Sequence, residues 1–310
     1  MEVVFLGTGA GVPSKDRNVS SIALRWTESG GDTWLFDCGE ATQHRILHSS
    51  VRLSRISRIW ITHLHGDHIF GLPGLLGSRS FQDAKRPLTL YGPEGLEKFI
   101  QSSLEVSGTH LRYPLHIVEV CDGDHLECEG IRVQVARLEH GIPSYGYRIK
   151  EPDGPGALDA ERLRRERVPP GPHVQQIKEG KKVSLPDGRM IDGRKYLGPS
   201  RSGRHLAILG DTRPTPAAKE LAHGVDLLIH EATYAADQEA LAWNYFHSTS
   251  VQAAELALAA GVRRLVVTHI SPRYSLDEGK RLAEEAQAVF SDTEVARDGF
   301  AIRIEKRIVK

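Results

Sequence analysis

The 310-residue sequence predicts a layered α/β fold. Three observations predict it. Short apolar runs of β character recur along the chain, stretches carrying helix cap signals separate several of them, and His and Asp residues stand directly after the runs. In layered α/β folds the C-terminal ends of strands share one rim, where sites form. A hydrophobic content of 40% over this length can bury a substantial core, in one large domain or two ordinary ones.

The elements follow in order. Residues 2–6 read as a strand, and Gly7-Thr8-Gly9-Ala10-Gly11-Val12-Pro13 follows. A dinucleotide loop would open a helix here. Polar Ser14 to Asn18 and a β-like run, Val19 to Trp26, follow instead. The glycines therefore let a loop pass close to another group, and Lys15 and Arg17 at its tip either meet a phosphate or belong to a charged hairpin. Trp34-Leu35-Phe36 forms a strand ending at Asp37, a carboxylate placed to orient a metal-bound His or to cap the helix starting near Glu40. His44 and His48, four apart on that helix, lack a Glu after the first His and read as surface or packing residues.

Ser57 to Thr62 is the next strand, and the densest cluster follows: Thr62-His63-Leu64-His65-Gly66-Asp67-His68. Imidazole nitrogens with a carboxylate suit Zn²⁺ or a similar first-row ion. A loop here lets the side chains converge. Phe70 to Leu76 reads as a buried, glycine-rich loop entering a helix. Leu88 to Tyr91 is a strand, Glu94 to Ser103 a helix, and residues 115–120 and 131–138 are strands, the second leading to His140.

Residues 150–204 change character. They hold seven prolines, eight glycines and thirteen Lys/Arg against eight Asp/Glu, a local excess of positive charge in a chain that has 40 of each overall, so the rest of the chain is net acidic. Asp159 to Val168 reads as a short basic helix with Arg162, Arg164, Arg165 and Arg167, stopped by Pro169-Pro170-Gly171-Pro172. Lys178, Lys181 and Lys182 extend the charge. Few large apolar residues are available for a core of its own, so the segment reads as an inserted arm suited to a polyanion, in a catalytic body formed by residues 1–149 and 205–310.

The α/β pattern then resumes. His205 to Leu209 leads to Gly210-Asp211, Asp226 to Ile229 leads to His230-Glu231-Ala232-Thr233, and Arg264 to Thr268 leads to His269. Thr249 with Gln252 fits a capping box for a helix ending at Gly261. Ser275 with Glu278 opens a helix to about Phe290, and Gly299 to Ile304 closes the chain. Three cysteines give no disulfide framework. The first residues lack a basic leader and no run approaches eighteen apolar residues, so a soluble, cytoplasmic protein is expected.

The strand-end residues supply enough ligands for two metals. His63, His65 and His140 hold one, Asp67, His68 and His269 the other, and Asp211 bridges them. Two ions about 3.5–4 Å apart generate a bridging hydroxide near neutral pH and clamp the oxygens of an in-line displacement at a phosphodiester. His247 is left over and reads as the donor of a proton to the leaving oxygen in preference to a residue near the following helix cap, with Glu231 either orienting it or holding its charge.

The His63-x-His65-x-Asp67-His68 motif, with His140, Asp211 and His269, resembles the metallo-β-lactamase fold. More specifically, the chain is similar to the ribonuclease Z family of tRNA 3′-processing endoribonucleases. Pro13-x-Lys15-x-Arg17-Asn18, His230-Glu231-Ala232-Thr233, His247-Ser248-Thr249 and the Pro-rich insertion each match a family feature. The resemblance implies a four-layer αβ/βα sandwich with an inserted flexible arm, two Zn²⁺ per subunit, and a homodimer in which the arm of one subunit presents tRNA to the other. It implies cleavage of precursor tRNA after the discriminator base, leaving a tRNA 3′-hydroxyl and a trailer 5′-phosphate. Asp67 is then the proton acceptor, with His247 and Glu231 completing the catalytic group. Lys15, Arg17 and Thr249 join Arg162, Arg164, Arg165, Lys178, Lys181 and Lys182 as substrate contacts. The alternatives are a small-molecule phosphodiesterase, arylsulfatase or thioesterase on the same fold, which would not need the arm, and a non-catalytic RNA-binding protein with structural metals.

Overall fold

The computed structural model describes residues 1–28, 30–82, 84–275 and 277–308. Two seven-stranded sheets carry the fold. The first runs in the order Ala301–Arg303, Glu2–Gly7, Ser21–Trp26, Asp32–Phe36, Ile56–Trp60, Leu88–Gly92, Leu115–Glu119. Its last four strands are parallel. The second runs Thr293–Val295, Leu265–Thr268, Leu227–Glu231, His205–Leu209, Ser144–Lys150, Ile131–Leu138, His125–Cys128, and its first four are parallel. Parallel strands are covered on both faces, which is why Leu227–Glu231 and Leu265–Thr268 are buried at every residue.

Helices cover one face of each sheet. Ile46, Leu72, Leu75, Leu76, Leu96 and Ile100, from the helices Thr42–Leu47, Leu72–Phe81 and Leu96–Val106, pack with Leu35, Ile59 and Leu90 of the first sheet. On the second sheet the helices Pro216–Ala222, Ser250–Ala260 and Glu278–Val289 pack largely through alanines, whose small side chains admit close approach. The other faces meet each other. Tyr147 of the second sheet lies 5.3 Å from Trp60 and 6.1 Å from Phe36 of the first, ring to ring, and donates a 2.5 Å hydrogen bond to the Ile61 carbonyl. The result is the expected four-layer αβ/βα sandwich.

Local signals behave as chemistry dictates. Thr249 and Gln252 form a reciprocal capping box, and Gly261 closes that helix at φ +64°. Ser275 and Glu278 exchange hydrogen bonds at the next helix start, across Leu276, which lies outside the described residues. Three readings change. Phe70 to Leu76 is not a buried loop: Phe70 is 63% exposed, and the helix Leu72–Phe81 starts with Pro73 in its first turn, where the missing N–H costs nothing. The strands His125–Cys128 and Ser144–Lys150 and the helices Pro216–Ala222 and Glu239–Asn244 are additional. Finally, the basic insertion has its own core.

The chain divides into two compact units, and the second comprises Lys150–Arg204 with Glu129–Arg132 and the residues from Glu305 onward. Its strand Arg201–Ser202 pairs with Arg307–Ile308. Leu163, Ile177, Val183 and Tyr196 are buried together, with Leu158, Val168 and Ile191 packed against them. These apolar residues stand singly or in pairs among polar and charged ones, so no run announces them. Asp159 caps the helix Ala160–Arg165, and a hairpin joins Lys182–Ser184 to Met190–Asp192.

Candidate metal centre

Five histidines and two aspartates from four segments, residues 63–68, His140, Asp211 and His269, converge at the strand ends of the sandwich. Ile56–Trp60 delivers Thr62 and His63, and the short helix Gly66–Ile69, rather than a loop, carries Asp67 and His68. Asp211 follows His205–Leu209 through Gly210, where a Cβ would lie 2.7 Å from Thr62 Cβ and 2.8 Å from the Tyr145 carbonyl oxygen. Only glycine lets that strand end come so close to the first sheet. Gly39 plays the same part beneath Asp67, whose carbonyl oxygen would stand 2.3 Å from an added Cβ. The glycine loop passes close to the same residue, since Gly11 N–H donates to Asp67 Oδ2 at 2.8 Å.

Two triads result. His63 Nε2 lies 3.1 Å from His65 Nδ1, which lies 3.2 Å from His140 Nε2. Asp67 Oδ2 is 3.3 Å from His269 Nε2 and 3.4 Å from His68 Nε2. Asp211 Oδ2 reaches both groups, at 3.6 Å from His63, 3.5 Å from His68 and 3.2 Å from His269. Within each triad the candidate ligand atoms lie within 4.8 Å of one another.

The second nitrogen of four of these rings is committed. His140 Nδ1–H donates to the Phe246 carbonyl at 3.0 Å, which can only accept. His68 Nδ1–H donates to Asp37 Oδ2 at 2.7 Å. Thr62 donates its hydroxyl to Asp37 and accepts from His63 Nδ1–H at 3.0 Å. Thr233 donates to Glu231 Oε2 at 2.6 Å and accepts from His269 Nδ1–H at 2.9 Å. The near nitrogens are therefore lone pairs aimed at each other and at carboxylates. Such an array repels itself unless a cation sits within it, so these residues fit a metal pair.

The electrostatics agree. Burial opposes charge on His68, yet Asp211, Asp37 and Asp67 raise its pKa well above the ordinary value. Burial, with like charge from His68, drives His63 well below it. Asp211 and Asp67 resist burial and are held below the usual carboxylate range by the histidines around them. The site calls for positive charge.

Beside the triads, His247 Nδ1–H donates to Glu231 Oε1 at 2.7 Å. Glu231 is 1% exposed and also accepts from Thr212 N at 3.0 Å and from Thr233 N at 3.2 Å. Burial lowers the His247 pKa, but Glu231 outweighs it and raises it to about 9. Asp37, His269 and Phe246 hold positive φ, at 57°, 56° and 59°, a conformation that concentrates at functional sites.

The structure brings His63, His65, Asp67, His68, His140, Asp211, His269, His247 and Glu231 together. Two other expectations change, those for Arg17 and Thr249. Arg17 is 5% exposed and donates to Thr8 Oγ1 and the Ala296 carbonyl, so it braces the loop from inside and only Lys15 is left at the tip. Thr249, 2% exposed, spends its hydroxyl on the helix cap. His230 bonds back to the Glu231 carbonyl and stays outside the cluster. Within the second unit, Arg164, Arg165, Lys178 and Lys182 are exposed. Arg162 pairs with Glu166 and stacks on Tyr196, and Lys181 pairs with Glu179.

Sequence reasoning missed Thr62 and Thr233 and left Asp37 open. The two halves repeat one device: a buried carboxylate takes a threonine hydroxyl, that threonine takes one histidine, and the carboxylate takes another. A threonine touching each His-bearing segment was the available signal.

Fold and site together define a metallo-β-lactamase-fold hydrolase with His/Asp clusters able to bind metal. Residues 197–270 match the family model described as beta-lactamase superfamily domain, and residues 1–153 match that of the anti-Pycsar protein Apyc1. The chain is 56% identical to ribonuclease Z of Geobacillus kaustophilus over 298 residues, covering 96% of this chain and 97% of that protein. It is 56% identical to ribonuclease Z of Bacillus cereus over 307 residues, 99% of this chain and 100% of the relative. The crystal structure of human tRNase Z, short form (ELAC1), superposes with a TM-score of 0.71 at 31% identity, covering 98% of this chain and 100% of that one. The metallo-beta-lactamase fold protein YhfI from Bacillus subtilis, at 19% identity, shares the fold with a TM-score of 0.68, over 97% of this chain and 98% of its own. The chain belongs to the ribonuclease Z family: it is a tRNA-processing endoribonuclease that hydrolyses phosphodiester bonds. Among the described residues no helix is long and apolar enough to cross a membrane.

Proposed function

We propose that this chain is a zinc-dependent endoribonuclease that removes the 3′ trailer of precursor tRNA after the discriminator base. The observation that carries the reading is the pair of ligand triads sharing Asp211. His63, His65 and His140 would hold one Zn²⁺ and Asp67, His68 and His269 the other. When bound, two such ions supply Lewis-acid charge and lower the pKa of a coordinated water.

The chain's own residues do the rest. Asp67 takes the proton of the attacking water. Water adds to the phosphorus of the trailer's first phosphate as the bond to the 3′ oxygen breaks. His247, held protonated by Glu231, gives its Nε2 proton to that oxygen. The tRNA ends in a 3′-hydroxyl and the trailer keeps a 5′-phosphate. Lys15 and the exposed arm cations Arg164, Arg165, Lys178 and Lys182 contact phosphates, positioning RNA without reading sequence. Arg162 and Lys181 contribute less, since each has a carboxylate partner. A homodimer working in the cytoplasm, where tRNA is matured, completes the reading.

A small-molecule phosphodiesterase or arylsulfatase on the same fold would keep the triads but leave the arm idle. Incubation with a 3′-extended precursor tRNA, with and without chelator, tests the proposal. Metal-dependent release of a 5′-phosphorylated trailer is expected. Uncut tRNA alongside rapid hydrolysis of a small phosphodiester would establish the alternative.

A further inference from the structure

Beside His247 lies an aromatic cluster that the phosphodiester chemistry leaves unused. Glu139 precedes His140, Arg213 stands two residues after Asp211, and Trp243 stands four before His247. These flanking residues meet. The Arg213 guanidinium carbon lies 4.0 Å from the Trp243 ring centroid and 4.5 Å from that of Phe246, and Arg213 is ion-paired with Glu139. The turn that carries the rings also sets the site. The Phe246 carbonyl takes the His140 Nδ1–H at 3.0 Å, and His247 N–H bonds the Ala242 carbonyl at 2.8 Å.

With Arg213 over one face, Trp243 is still 51% exposed, and Tyr245, two residues on, is 61% exposed. The other tryptophans, Trp26, Trp34 and Trp60, are 4%, 1% and 0% exposed. An indole that carries a guanidinium on one face and still leaves half of its residue exposed is a ready stacking surface. Every nucleobase offers a matching π-face, and an aromatic stack strengthens single-strand binding by about five- to a hundredfold per base. The Arg213 contact fixes the ring in advance, which lowers the ordering cost. Arg213 itself is neutralised by Glu139, so its part here is to hold the ring rather than to clamp a phosphate.

We infer that Trp243, with Tyr245, is a stacking platform for an unpaired nucleobase of the RNA next to the cleaved bond. This rests on the RNA-cleaving reading above and deepens it: Trp243 is a substrate-positioning residue that distinguishes RNA from a small phosphodiester.

The test compares wild type, Trp243→Ala and Trp243→Phe on a 3′-extended precursor tRNA and on bis(p-nitrophenyl) phosphate. Trp243→Ala raises KM for the RNA about tenfold, with kcat and small-ester hydrolysis unchanged, and Trp243→Phe recovers most of the loss. An abasic nucleotide beside the cleaved bond raises the wild-type KM by a similar factor and adds nothing in Trp243→Ala. Because the other tryptophans are buried, RNA added to chelated wild type quenches the acrylamide-accessible emission, and Trp243→Phe abolishes that signal. An unchanged RNA KM, or equal losses on both substrates, overturns the inference while leaving the RNA-cleaving reading intact. Wild-type enzyme that leaves the precursor uncut removes that reading and the inference with it.

Discussion

Replacing Glu231 by Gln removes one negative charge from beneath His247 and leaves the volume unchanged. The carboxylate raises the His247 pKa from 6.5 to about 9 against the effect of burial. That shift corresponds to about 3 kcal/mol of preference for the protonated ring. Divalent cations in the triads oppose it, so the alkaline limb of kcat/KM in the loaded enzyme lies below 9. In Glu231→Gln the limb moves down by more than a pH unit. If His247 returned to its ordinary value, its protonated fraction at pH 8 would drop roughly thirtyfold, yet change little at pH 6. The variant also pays a local cost. Its amide oxygen can still accept from Thr212 N–H and His247, but its NH₂ faces the Thr233 N–H, a donor against a donor, costing about 1–3 kcal/mol. A group whose pKa rises on folding contributes its stabilisation in full below its unfolded pKa and loses it as pH rises through the folded value. The charge-dependent part of the stability loss is therefore largest below about pH 6.5 and fades toward pH 9. Single-turnover pH profiles on precursor tRNA, paired with chemical denaturation of the same variant and a metal assay, measure both effects. A wild-type alkaline limb in Glu231→Gln with full metal content would refute the assignment of His247 as the proton donor.

Three further outcomes are expected. Asp37→Asn removes the charge that orients His68 and weakens metal binding by about 10- to 100-fold in a chelator-competition assay. Prolonged chelation abolishes RNA cleavage and lowers Tm, because the facing lone pairs of the triads lose the cations between them, and both recover on adding Zn²⁺. Ile177→Ala, at a fully buried position of the second unit, costs about 2–5 kcal/mol of local stability; KM for precursor tRNA rises while hydrolysis of a small phosphodiester is unchanged. An unaltered KM there would dissociate the arm from tRNA binding.

Much of this molecule was legible in one dimension because its signals are local. Thr249 and Gln252 announce a helix start, Gly261 a helix end, and His63-x-His65-x-Asp67-His68 a metal site, since each acts over a few residues. The strand-end positions of Asp211 and His269 pointed to one rim because parallel strands share a direction. What the sequence left ambiguous were side chains with two possible uses. Arg17 looked like a phosphate contact and turned out to brace Thr8 and Ala296. Thr249 matched a catalytic segment and is spent on its helix. Asp37 stood between capping a helix and orienting a histidine, and only the approach of His68 decided it. The insertion's core was hidden because Leu163, Ile177, Val183 and Tyr196 stand singly or in pairs among polar residues, and their burial depends on one another. Sequence by itself supplied the candidate ligands, since coordination chemistry depends on residue type. Tertiary structure decided which atom of each residue faces the centre, because that depends on partners such as Thr62, Thr233 and the Phe246 carbonyl, which touch the ligands only once the chain is folded.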